Sequence, residues 1–228
     1  MIVLHQHETS PFCDKIRRAL HHKKRAFETR EVPLHETIVR VGSLSSVGKV
    51  PVIEHDGSIV ADSSDIARYL EDVFPDPPLF PSDPRDRALC HVLEDWADES
   101  LYFFGVWFRY SLTHNAGEWS HRTSRSEPPL LRRATERALP TLMRNMLRAQ
   151  GLGRKEPEQV LADFARHALA VADWLSGDWL VGDALSIADI AVYAQLASAM
   201  DTGEGAAVLA QHAPVLAWME RVNASTAS

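Results

Sequence analysis

Apolar positions in the first third of the chain change period several times. Met1-Ile2-Val3-Leu4 is a short apolar run of strand character, and a strand is expected over residues 1–5. Ile16 and Leu20, set among charged residues, then mark an amphipathic helix over residues 11–24. Phe27 and Val32 are the apolar marks of a second strand, over 25–32. Two short strands follow at 50–54 and 58–61, joined at His55-Asp56-Gly57, where Asp-Gly is a strong hairpin signal. Residues 62–74 return to helical spacing, with Ile66, Leu70 and Val73 on one face. This order predicts an α/β unit, a mixed sheet flanked by helices.

Pro-Asp-Pro-Pro-Leu-Phe-Pro-Ser-Asp-Pro, residues 75–84, holds five of the chain's 13 prolines. Proline lacks an N–H donor and fixes φ, so neither helix nor strand runs through it, and the segment reads as a linker. Beyond it the pattern is helical throughout. A long aromatic helix is expected over 88–111, with Trp96, Tyr102, Phe103, Phe104, Trp107, Phe108 and Tyr110. Two more are expected over 130–150 and 159–175. Ser186-Ile187-Ala188-Asp189 opens a fourth: Ser186 can cap the Asp189 N–H, the Asp189 carboxylate can reach back, and Leu185 and Ile190 can form a hydrophobic staple. The polar stretch 113–129 reads as a mobile loop. The expected division is 1–75, a linker at 76–85, and an all-α unit over 86–228.

Composition adds limits. The 228 residues are 45% hydrophobic and 24% charged, ordinary for a soluble globular protein. A net charge of −7 gives no general reason to bind nucleic acid or an anionic membrane. The basic cluster Arg17, Arg18, Lys23, Lys24 and Arg25 reads as a solvated helix face. No apolar run approaches the roughly 20 residues of a membrane span, and His5, His7, Glu8 and Asp14 interrupt any signal-peptide pattern. Two cysteines, Cys13 and Cys90, suggest no disulfide framework, and a reducing cytoplasm is the expected compartment. The eleven histidines show no metal-ligand spacing, so no metal is expected.

Chemistry concentrates at Ser10-Pro11-Phe12-Cys13. Ser10 is a good N-cap and Pro11 fits the first helical position. A helix start presents unpaired N–H groups and a positive dipole end, which stabilise a thiolate. The tetrad is the C-x-x-C motif of thioredoxin-like proteins with its first cysteine replaced by serine. Val50-Pro51 sits at a strand start, an awkward place for proline: either an ordinary trans residue or a cis turn. A cis proline would leave the Val50 backbone facing outward to pair with an extended peptide. At Asp62-Ser63, Ser63 is either a plain N-cap or, by the same geometry, a binder of a ligand carboxylate, with Asp62 paired to a ligand ammonium.

Ser-Pro-Phe at the first helix, Gly48-Lys49-Val50-Pro51-Val52-Ile53, Asp62-Ser63, the proline-rich linker and Ser186-Ile187-Ala188-Asp189 occur in an order and spacing that resemble the cytosolic glutathione transferase superfamily. The resemblance spans nearly the whole chain. It implies a thioredoxin-like N-terminal domain with a four-stranded mixed sheet and a helical-bundle C-terminal domain. It also implies glutathione as co-substrate, a small electrophilic partner, a detoxifying role and a homodimer. Ser10 aligns with the catalytic serine of tau-type enzymes and the cysteine of omega-type ones, and would hydrogen-bond the glutathione sulfur. Phe12, Val50, Pro51, Asp62 and Ser63 would line the glutathione site. Lys49, or more weakly His35, would meet the glycine carboxylate, and Tyr102, Trp107 and Tyr110 would line the electrophile pocket.

Two departures stand out. Ser45-Ser46 replaces the Asn-Pro of many members, so the loop before Pro51 is expected to differ. The cysteine stands at the second position of the tetrad, a site shielded in this fold, so Cys13 is expected to be buried. The leading expectation is an enzyme that aims the glutathione thiolate at an electrophile. The alternatives are a thiol–disulfide oxidoreductase working through Cys13 and a non-catalytic module that keeps the fold.

Overall fold

The computed structural model describes residues 1–37, 41–45 and 48–227, so Ser46 lies outside the described residues. Strands β1 (Ile2–Gln6), β2 (Phe27–Glu31), β3 (Val52–His55) and β4 (Ser58–Ala61) form one sheet in the order β2-β1-β3-β4. β1 and β2 run parallel, bridged by α1 (Pro11–His22), while β1–β3 and β3–β4 are antiparallel. Leu4 pairs with Ile53, and both are fully buried at the sheet's centre. The β3–β4 hairpin turns at Asp56 and Gly57, both at positive φ (48° and 86°), which the Asp-Gly pair tolerates. Single helical turns, α2 (Leu34–Glu36) and α3 (Gly42–Leu44), lead towards β3, and α4 (Ser63–Val73) follows β4.

The remainder is helical. The long aromatic helix begins earlier than its periodicity suggests, at Pro84, behind the N-cap Asp83. It comprises α5 (Pro84–Trp96), a π-helical segment at Ala97–Leu101, and α6 (Tyr102–Tyr110). Residues 113–129, expected as a loop, are largely helix α7 (Thr113–Thr123). Its buried Ala116, Trp119 and Ser120 share one face, a stripe too short and polar to register as a hydrophobic period. Next come α8 (Pro129–Gln150), α9 (Pro157–Trp174), α10 (Ile187–Met200), α11 (Gly203–Leu209) and α12 (Ala213–Thr226).

Helix α10 is buried on nearly all sides and forms the axis of the core. It approaches α6 closely at Gly105, where a Cβ would sit 2.8 Å from Ser198 Oγ. Its start is the expected capping box, and the Asp189 carboxylate does more than cap. It accepts from the Ser186 N–H (3.0 Å), the Ser186 hydroxyl (3.0 Å), the Leu180 N–H (2.8 Å) and the Trp218 indole N–H (2.9 Å). One buried carboxylate thereby fastens α10 to α12 and to the chain before α10.

The basic cluster on α1 is not a solvated face throughout. Lys23 is fully buried, paired with Glu71 and donating to the Phe74 carbonyl at 2.6 Å. Arg18 donates to Thr226, Tyr193 and Asn223 and so ties α1 to α12. Arg17 binds Gln6 and Asp14, whereas Lys24 and Arg25 are exposed. No helix among the described residues is long and apolar enough to cross a membrane.

Asp189→Ala would strand the Leu180, Ser186 and Trp218 donors in the interior. Each orphaned buried donor costs about 1–3 kcal/mol, so a loss of about 3 kcal/mol or more is expected. Urea unfolding of the variant beside the parent protein measures it.

Candidate functional site

The sheet delivers three features to one cavity of about 660 Å³, bounded by Phe12 on α1, Lys49, Val50 and Pro51 before β3, and Asp62, Ser63 and Ser64 at the start of α4. Its opposite wall belongs to α5 and the π segment and includes Glu94, Asp95, Asp98 and Glu99. Of the two readings open for Pro51, the structure takes the cis one. Neither the N–H nor the C=O of Val50 is hydrogen-bonded to the rest of the described chain, as an edge that receives a peptide requires.

At α4 the structure separates the two expected residues. Asp62, not Ser63, is the N-cap: its Oδ1 accepts from the N–H groups of Ser64 (2.9 Å) and Asp65 (3.3 Å). Asp62 does this at φ 77° and ψ 130°, a left-handed conformation unusual for a residue with a side chain. Ser63 is buried, with its hydroxyl 3.3 Å from Lys15 Nζ and 3.5 Å from Asp98 Oδ2.

Nothing in its sequence neighbourhood singles out Lys15. It is fully buried, with Nζ 2.6 Å from Asp98 Oδ2, 2.7 Å from Glu94 Oε1 and 3.4 Å from Ser64 Oγ. Burial pushes its pKa down, but Asp98 and Glu94 outweigh that and hold the ammonium charged, above its ordinary value. Burial raises the Asp98 carboxyl, with Lys15 opposing. Gln195 on α10 lies 3.5 Å from the other Asp98 oxygen. A charged bridge thus joins α1 and α4 to the helical part directly beneath the serine pair. Its sequence trace is faint: a lysine one position before Ile16 on the buried face of α1, and two acids at i,i+4 on α5 and the following π segment.

Ser10 is the N-cap of α1. Its hydroxyl oxygen accepts from the Cys13 N–H at 3.4 Å, and its own N–H donates to His7 O at 3.1 Å. Cys13 is free and fully buried. Burial raises its thiol to about 11, although hydrogen bonding from Ser10 holds it down in part. Cys90 is likewise buried and raised to about 11 by burial.

Other expected residues fall elsewhere. His35 lies outside the cavity, bound through Nδ1 to Glu127 at 2.7 Å. Trp107 and Tyr110, expected to line a pocket, are 4% and 5% exposed in the helical core, and the Tyr110 hydroxyl is satisfied by Thr123 at 2.7 Å. Burial of the aromatic stripe against α7 and α10 outweighed any cleft role. Tyr102 is half-buried and packs against Phe12, ring centroids 4.8 Å apart and planes tilted by 50°. Among the described residues no group of histidine, cysteine or acidic side chains is arranged to hold a metal ion.

Residues 4–78 match the family model for the glutathione S-transferase N-terminal domain, and 134–226 match that for the C-terminal domain. A probable glutathione transferase of Aplysia californica is 35% identical over 95 residues, 42% of this chain and 94% of that protein. Glutathione S-transferase U22 of Arabidopsis thaliana is 35% identical over 95 residues, 41% of this chain and 44% of its own length. The match thus spans less than half the length of that plant relative. The crystal structure of the beta-etherase LigF from Sphingobium superposes with a TM-score of 0.69, at 24% identity, over 98% of this chain and 95% of that one, a likeness of fold.

Two outcomes follow from this geometry. A thiol reagent at neutral pH should leave both cysteines of the native protein unlabelled for minutes, and label both after denaturation; rapid native labelling of Cys13 would contradict its burial. Lys15→Met should cost about 3–5 kcal/mol in urea unfolding, because it leaves two buried carboxylates facing each other without a cation.

Proposed function

The chain belongs to the glutathione S-transferase family, and from that premise we propose that it binds glutathione and directs the glutathione thiolate at an electrophilic carbon of a small molecule. The observation that supports this most is the convergence of Phe12, the cis Val50-Pro51 edge and the buried Ser63 on one cavity, with Ser10 capping the helix beside Phe12. In this reading the Val50 N–H and C=O pair with the cysteinyl backbone of glutathione. The Ser63 hydroxyl and N–H hold the γ-glutamyl carboxylate at the positive end of α4. Asp62 and the acidic wall opposite face the α-ammonium, and Lys49, which is exposed at the rim, meets the glycine carboxylate.

Ser10 supplies the chemistry. Its oxygen already accepts from a backbone N–H, so its hydroxyl proton is free to rotate from Cys13 towards a ligand sulfur. Donation to the sulfur, together with the dipole of α1, favours the thiolate near neutral pH. The thiolate then attacks the electrophilic carbon, and the leaving group departs with the bonding pair. Conjugation is the default outcome, and thiolate attack with expulsion also accommodates dehalogenation, isomerisation or ether cleavage. The family resemblance extends the reading to a homodimer. The raised Cys13 thiol counts against disulfide exchange as the main activity.

Ser10→Ala should reduce glutathione-dependent turnover of 1-chloro-2,4-dinitrobenzene by about 10²–10³-fold, the size of losing one donor to a developing anion. Glutathione affinity by calorimetry should change little. Unchanged turnover would remove Ser10 from the mechanism, and no heat with millimolar glutathione would favour a non-catalytic module.

A further inference from the structure

Ser10 itself lines a second cleft, of about 380 Å³, between α1, α6, α7 and α10. Its walls are strongly basic in a chain that is acidic as a whole. Arg17 and Arg18 from α1, Arg109 from α6, Arg122 from α7 and Arg125 just beyond it all face it. The carboxylates there are Glu8, Asp14 and Asp201. Asp14 is taken by Arg17 (3.1 Å) and Arg18 (2.7 Å), and Asp201 by Arg109 (3.4 Å). Among the described residues no carboxylate lies within ion-pair distance of Arg122 or Arg125.

Two of these charges are packed on the buried Trp119. The guanidinium carbons of Arg109 and Arg122 both lie close to the Trp119 ring, at 3.9 and 4.1 Å from its centroid. Arg109 is buried, its Nε has no acceptor, and the positive charge of Arg122 works against its own. Two cations held on one indole, with two arginine side chains lacking counter-charges, form a site that an anion would neutralise.

We propose that this cleft receives the electrophile, and that the electrophile is a small molecule bearing a carboxylate. The carboxylate is held by Arg122 and Arg125, and the reacting carbon points back to Ser10. The volume lies within the range of small-molecule pockets. This assignment rests on the reading of Ser10 as activator of the glutathione thiol.

The test compares a matched acid and amide. With the glutathione site saturated by S-methylglutathione, which cannot react, calorimetry measures the binding of 3-nitrobenzoate and of neutral 3-nitrobenzamide. The acid is expected to bind at least about tenfold more tightly, with the preference shrinking as salt rises from about 20 to about 500 mM. In the Arg122→Gln/Arg125→Gln double variant the preference should fall below about threefold. Arg125 is exposed and Arg122 only half-buried, so the variant is expected to keep its circular dichroism and Tm, and single variants serve if it does not. Equal affinity for acid and amide, or a preference that the variants leave intact, overturns the proposal. Turnover of 4-chloro-3,5-dinitrobenzoate, which carries both an activated aryl chloride and the carboxylate, is scored separately. Its absence, alongside a retained preference for the acid, would sink the catalytic reading of Ser10 and leave the anion cleft standing.

Discussion

The charge cluster of Lys15, Glu94 and Asp98 is the constraint on which the arrangement of the molecule depends. An unpaired lysine in the interior costs several kcal/mol, so this one requires both carboxylates, and they require it. The carboxylates come from the helical part, whereas the lysine comes from the first helix of the sheet part. Sliding one part over the other would expose all three groups to imperfect solvation at once. The same ammonium lies within hydrogen-bond distance of Ser63 and Ser64. The hydroxyl assigned to a ligand carboxylate is therefore oriented by the contact that holds the two parts together.

Helix α1 is used on every side. Its start carries Ser10 and Phe12, its inner face Lys15 and Ile16, and its flank Arg18, which reaches Tyr193 on α10 and Asn223 and Thr226 on α12. The π segment at Ala97–Leu101 supplies Asp98 from the middle of the long aromatic helix. An extra residue in a helical turn re-aims the side chains that follow, and such segments recur at functional sites.

Local chemistry made much of the fold legible. The Asp-Gly turn, the Ser10 cap and the Ser186–Asp189 box are each specified by neighbours in sequence, and each appears in the structure as its residues dictate. What could not be read depended on distant partners. Lys15 and Lys23 look like any helix-surface lysines until Asp98, Glu94 and Glu71 are brought against them. Helix α7 is too polar to announce itself, because its buried face is mostly Ala116, Trp119 and Ser120. Trp107 and Tyr110 illustrate the converse: an aromatic run shows that something is buried, but not whether it faces a core or a cleft. Asp62-Ser63 was legible as a helix start but not in its division of labour, since which residue caps depends on a single backbone angle.

The buried bridge and the basic cleft differ in how tightly the surrounding structure holds them. Around Lys15 every change breaks a charge balance, so the part of the site assigned to the γ-glutamyl carboxylate tolerates almost no variation. Arg122 and Arg125 stand at and just beyond the end of α7, exposed or half-exposed, without carboxylate partners among the described residues. Substitutions there disturb little else. If the proposed assignments hold, a lineage built on this plan keeps its glutathione-binding half fixed and can acquire new substrates by drift at a helix end.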